Sequence, residues 1–258
     1  MLNRFFPALF ALWLIAPVSA QTPLRVAAAA DLEPVLPPIL AEFQQATGIH
    51  AEATYQASAM LTTQIMNGAP FDLFLSADLG YPRRLIEAGV ADAAGSAGSS
   101  TPIIYARGTL VLWARKDSGL PPPSLDLLRN PNLKRLAIAN PDRAPYGRAA
   151  VAALTSLKLY DALKPRLVTG ENIAQSAQFA DSGNADAGLI SLTSALTPKL
   201  SGNGVYYVIP RDLYPPIEQG AVIVSASSQR AAAHKLLGFL LSTPIQAELA
   251  KSGLTPGK

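Results

Sequence analysis

Strand-like and helix-like signals alternate along the chain from Leu24 to Lys251, and that alternation restricts the fold more than any other feature. Leu24–Ala29 is a short apolar run of the kind a buried strand needs. Leu32, Val35, Leu36, Ile39, Leu40 and Phe43 then recur at helical spacing up to a stop at Gly48. Pro34, Pro37 and Pro38 interrupt this stretch, and the last two are predicted to distort its first turns, because each removes a backbone donor. Residues 49–55 alternate like a half-buried strand, 60–67 read as a helix ended by Gly68, 71–75 as a strand, and 81–88 as a helix ended by Gly89. The second half repeats the theme. Strands are predicted over 109–115, 135–139, 188–192, 205–209 and 221–224. Helices are predicted over 147–157, 172–181, 229–241 and 244–251, with Ser124 capping a short helix through Arg129. Such alternation predicts α/β layering with mostly parallel strands. Residues 91–100, rich in Ala, Gly and Ser, read as a surface loop, and no internal repeat is visible.

The first 20 residues stand apart from this pattern. Arg4 precedes an apolar run from Phe5 to Pro17, and Val18-Ser19-Ala20 supplies the small-x-small pattern of a signal-peptide cleavage site. The run is short for a bilayer span of about 20 residues. The expectation is an exported protein, in a bacterial periplasm, that keeps no membrane segment after cleavage. The chain has no Cys, so neither a lipid anchor on a Cys nor disulfides are available, and the fold must rest on its packed core. With 258 residues, removal of the leader leaves enough for two lobes of about 100 residues each. The formal net charge is +3, one unit of it from Arg4, and no basic run occurs. Nucleic acid is therefore not an expected partner. Only two histidines, His50 and His234, are present, which leaves little for metal or nucleophile chemistry.

In open α/β sheets, ligands bind where strands end and helices begin, and helix N-termini there offer unpaired N–H groups to anions. Four loops have this character: Ala27–Leu32, Tyr55–Met60, Asn140–Gly147 and Gly170–Ile173. The first contains Asp31, which on these residues alone reads as a helix cap. The second opens a helix at Ser58. The third displays the hydroxyl of Tyr146, and the fourth leads into a helix start. A hydrolase built on Ser58 lacks the Gly-x-Ser-x-Gly elbow.

Taken together, and in this order, the stretches 26–32 (VAAAADL), 68–78 (GAPFDLFLSAD), 139–147 (ANPDRAPYG) and 187–191 (AGLIS) resemble periplasmic molybdate-binding proteins of ABC importers. The resemblance covers essentially the whole chain after the leader. It implies a type II periplasmic binding protein: two α/β lobes with mixed, mostly parallel sheets, flanking helices and a ligand cleft between the lobes. Residues 21–104 with 222–258 would form the first lobe and 105–221 the second. It further implies an oxyanion, molybdate or tungstate, held by hydroxyls and backbone N–H groups, with no cofactor and no protein ligand to the metal. A membrane permease is the implied partner, and the protein is expected to be a monomer. Carried over position by position, the contacts fall on Ala30, Asp31, Ser58, Tyr146, the backbone of Ile173 and, as a secondary hydroxyl, Ser191. Many members of that family carry Tyr at the position of Ser191 and Ser at that of Asp31. An ionised carboxylate ~4 Å from one anionic charge costs roughly 4 kcal/mol at an effective dielectric of ~20. Asp31 is accordingly expected to turn away as a cap and to offer its N–H. The alternatives are that it is protonated, or that it accepts a proton from an oxyanion such as hydrogen phosphate.

Overall fold

The computed structural model describes residues 22–93 and 101–257; the predicted signal peptide and most of the 91–100 loop lie outside them. The first sheet takes β1 (Leu24–Ala29), β2 (Ala51–Gln56), β3 (Leu73–Ser76), β4 (Ala91–Ala93) and β5 (Ile103–Gly108). The second takes β6 (Leu110–Arg115), β7 (Leu136–Ala139), β8 (Leu167–Gly170), β9 (Ala187–Ser191) and β10 (Gly204–Val208), before β11 (Ile217–Val224) and β12 (Thr255–Pro256) return to the first. The orders are β12-β5-β11-β3-β1-β2, with β4 beside β11, and β10-β6-β9-β7-β8. The chain thus passes between sheets after Gly108 and again before Ile217.

The sheets are mixed, as expected, but less parallel than the alternation suggests. Among the described residues, only β1 with β2 and β3, and β7 with β8 and β9, pair in parallel. The strands nearest the two crossings, β5, β6 and β11, make only antiparallel ladders. A strand that carries the chain from one sheet to the other has no crossover helix to return it in parallel.

Helices cover both faces. On the first sheet, Leu24, Val26 and Ala28 of β1 point into one core with α1 (Leu36–Thr47), and Ala27 points into another with α2 (Ser58–Met66) and α3 (Gly80–Glu87), as the period of two requires. On the second sheet, Leu110, Leu112 and Ala114 pack on α4 (Pro145–Ser156). Val111 and Trp113 pack on α6 (Ile173–Ser182), α7 (Leu192–Ala195) and α8 (Pro198–Asn203); the short α5 (Tyr160–Leu163) lies beyond α4. The last two helices, α9 (Arg230–Leu240) and α10 (Thr243–Lys251), return to the core of the first sheet.

Three local expectations are corrected. Pro37 and Pro38 occupy the second and third positions of α1, where N–H groups have no intrahelical acceptor, so they seat the helix rather than distort it. Ser124 precedes a 3-10 turn, Leu125–Arg129, and makes no side-chain cap bond. Ala91–Ala93, read as loop, is a strand edge on β11. Gly48 ends α1 in the left-handed conformation at φ 72°, with its N–H on Gln44 O at 2.8 Å, as its position after the last apolar residue predicts.

Candidate functional site

The C-terminal ends of five parallel strands converge on one cleft between the sheets. β1 delivers Ala29, Ala30 and Asp31; β2 delivers Gln56, Ala57 and Ser58; β3 delivers Ala77. From the second sheet, the loop after β7 brings Ala144, Pro145 and Tyr146, and the loop after β8 brings Asn172 and Ile173. Five of the six residues predicted from sequence, Ala30, Asp31, Ser58, Tyr146 and Ile173, therefore share one lining. The cleft is nearly shut, with about 10 Å³ left, room for about one water-sized group. A larger hollow of about 490 Å³ lies at the other end of β3, but its buried carboxylate, Asp72, is already engaged by Arg25 N, Ser227 and Gln229.

Ser191 is placed elsewhere. It ends β9, fully buried, and its hydroxyl caps α7 by accepting from Ser194 N at 3.2 Å, with Ser194 Oγ at 2.8 Å and Thr193 Oγ1 at 2.9 Å. A hydroxyl so occupied is not presented to the cleft.

The donors that face the cleft are neutral. Ser58 is the first residue of α2; its Oγ accepts from Ala77 N at 3.1 Å, which leaves its own proton for an acceptor in the cleft. Ile173 is the first residue of α6, behind an Asn172 cap that accepts from Gln175 N, so the N–H groups of the first turn point outward with the positive end of the helix dipole. Among the described residues, no Lys, Arg or His lines the cleft. The nearby cations are paired at its rim: Arg148 with Asp78, and Arg143 with Glu171.

Asp31 does not turn away. It is fully buried in the 3-10 turn Ala30–Leu32, and its carboxylate is engaged by side chains from distant segments. Its Oδ2 accepts from Tyr146 Oη at 3.1 Å and from Gln219 Nε2, while Oδ1 has no partner. Burial pushes its carboxyl from 3.8 up to about 6, against the opposing hydrogen bonds of Gln219 and Tyr146. Burial, and then the neighbouring Asp31 charge, hold the Tyr105 and Tyr146 phenols well above their ordinary value. Gln219 escaped the sequence reading. Its signal is weak: it follows Glu218 at the polar start of β11, and only the register shift between Gln219 and Gly220 marks it.

Bonds between the two sheets' loops hold the cleft shut. Ala59 N donates to Arg143 O at 3.2 Å, and Tyr81 Oη donates to Asp142 O at 3.2 Å. Arg148 lies over the Tyr81 ring at 5.3 Å and pairs with Asp78. Thr193 Oγ1 donates to Asp31 O at 2.7 Å. Ala29, Ala30 and Ala77 of the first sheet's loops join the core of the second.

Residues 24–255 match the family of bacterial extracellular solute-binding proteins. The chain is 38% identical to molybdate-binding protein ModA of Azotobacter vinelandii, over 93% of this chain and 92% of the relative. It is 36% identical to molybdate-binding protein ModA of Rhodobacter capsulatus, over 92% of this chain and 89% of the relative. The solved structure of the Azotobacter vinelandii periplasmic molybdate-binding protein superposes with a TM-score of 0.83 at 30% identity, covering 91% of this chain and all of that one. With two α/β lobes closing on a cleft of helix N-termini and hydroxyls, the chain belongs to the bacterial extracellular solute-binding proteins, in the two-lobed type II periplasmic binding-protein fold.

Proposed function

We propose that this protein captures molybdate, with tungstate as a close substitute, for a membrane permease of an ABC importer in the periplasm, and that it works as a monomer. The observation that carries the reading is a cleft lined from both sheets by helix N-termini and hydroxyls, with no cationic side chain. A site of this kind holds an anion by oriented dipoles and charge-assisted hydrogen bonds. The relatives named for molybdate binding support the choice of anion. Among the described residues no helix is long and apolar enough to cross a membrane, in keeping with a mobile carrier.

The anion first meets the Ala30–Asp31 turn and Ser58 on one lobe. The other lobe then brings in Tyr146 and the N–H groups at Ile173, with the chain crossings after Gly108 and before Ile217 as the hinge. A ligand with four oxygens does not fit a space of about 10 Å³, so the lobes part slightly or Tyr146 releases Asp31 as it enters. The permease reads the closed state. Ser58→Ala is expected to weaken molybdate binding by about 1.5–3 kcal/mol, and Tyr146→Phe by less, in titration calorimetry. Equal affinities in wild type and Ser58→Ala would remove Ser58 from the site. Arg148→Ala breaks the rim latch and is expected to cost roughly 1 kcal/mol, about fivefold, through faster dissociation, with a smaller difference at high salt.

Asp31 favours a second reading, in which the site takes a protonated oxyanion such as hydrogen phosphate. A thermal-shift series with molybdate, tungstate, sulfate and phosphate separates the two. A ligand at about a thousand times its Kd stabilises the fold by roughly 4 kcal/mol. A shift with molybdate and tungstate alone supports the first reading; a shift with phosphate alone supports the second. A hydrolase reading finds no base beside Ser58, since His50 and His234 are both exposed and His50 bonds to Gln44 and Glu52.

A further inference from the structure

A fully buried carboxyl at an anion site, with one oxygen accepting two hydrogen bonds and the other unpartnered, is an unusual thing for a fold to keep. Asp31 Oδ2 takes both Tyr146 Oη and Gln219 Nε2, and Oδ1 is shut away from water without a donor. The groups that face it are all neutral at pH 7: Tyr146 from α4, Gln219 from β11, Tyr105 from β5, and Thr193 from α7, whose hydroxyl is spent on the Asp31 backbone. From β2 and the cap of α6 the cleft shows Gln56 and Asn172. Glu33, the nearest acid in sequence, is exposed. Among the described residues no cation balances the carboxylate, and none in the cleft lining would balance a dianion beside it.

Resting on the molybdate reading, we propose that Asp31 makes capture proton-coupled: one proton from solvent enters the cleft with each dianion and lies between the Asp31 carboxyl and an anion oxygen. The balance is simple. Ionised protein, dianion and one proton give a complex in which a single hydrogen joins the two acceptors and no bond to the metal changes. The unpartnered Oδ1 is the oxygen free to carry or accept that hydrogen, since Oδ2 keeps its two donors. Burial already lifts the carboxyl to about 6, and an arriving dianion lifts it further, because a like charge nearby disfavours the ionised form. Gln219 is a positioning residue here. Its amide donates to Oδ2 and favours the charged carboxyl. The requirement also sets specificity: an oxyanion that can share a proton is accepted, and a weakly basic one such as sulfate is refused.

Titration calorimetry with sodium molybdate at about pH 8, in two buffers of different ionisation enthalpy, reads the proton directly. The expected result is uptake of about one proton per anion, with Kd weakening about tenfold per pH unit between about pH 7 and 9. Asp31→Asn should bind with no uptake and a flat profile, and Gln219→Met should move the break in log Kd against pH upward. Binding by wild type without uptake, or an Asp31→Asn protein that keeps the slope, overturns the inference alone. Absence of heat with molybdate at every pH overturns the functional reading and the inference with it. If Asp31→Asn does not fold, the wild-type uptake and slope decide.

Discussion

Asp31→Asn is expected to make the ligand-free protein more stable at pH 8 by about 3 kcal/mol, while leaving its stability near pH 3 almost unchanged. The carboxyl rises from 3.8 to about 6 on folding, because it is buried without a counter-charge. A group raised in the folded state helps most when both states are protonated, below about pH 4, and that contribution is lost as pH climbs through the folded value of about 6. Above it, the fold holds an ionised carboxylate out of water. Asparagine keeps an acceptor for Tyr146 Oη and Gln219 Nε2 and carries no charge. Urea unfolding of both proteins at low and high pH measures the difference; equal stability at both ends would mean that Asp31 is solvated or paired in solution. A gain in stability from removing a functional group is common where a site is strained for its task.

Gly147→Ala should act in the opposite direction. In an ordinary helix this change is favourable by about 1 kcal/mol. Here a Cβ would lie 2.8 Å from the carbonyl carbons of Ala139 and Asn140, and closer still to Ala139 O. These are backbone atoms at the end of β7, and they cannot swing aside. The first turn of α4 must back away, and Tyr146, one residue earlier, moves with it. A loss of about 1–3 kcal/mol in stability is expected, with weaker anion binding because the phenol leaves its place. Gly108→Ala reports on the same seat from the other side, since its Cβ would sit 2.8 Å from Tyr146 Cζ. A Gly147→Ala protein that melts at or above the wild-type temperature would show that α4 does not rest on β7 as described.

Much of the architecture was legible because it is written locally. The period of two in β1 and the 3.6-residue spacing that ends at Gly48 state which faces are buried, whatever lies opposite. β12, α5, α7 and α8 were not read because segments this short carry no period, and β8 was not read because Leu167–Gly170, unlike the equally short β3 and β7, is not a continuous apolar run. β5 was read only as a boundary, and its place between β11 and β12 depends on strands more than a hundred residues away.

The same division runs through the site. From sequence alone came the loops that follow strands, their hydroxyls, their helix starts and the lack of basic runs. Those features suffice to say that an anion could bind; which residues would hold it was implied only by the family resemblance of the stretches around them. Only the tertiary structure decided which of them meet. Ser58, Tyr146 and Ile173 converge because sheet order and register bring their strand ends to one point, whereas Ser191, at an equally suitable strand end, spends its hydroxyl on capping α7. The state of Asp31 was hidden for the same reason. A carboxylate at a helix start reads as a solvated cap, and nothing near it in sequence says that Tyr146 and Gln219 will bury it. Local pattern records which way a side chain faces, but its dielectric surroundings and partners are set by segments that only folding brings together.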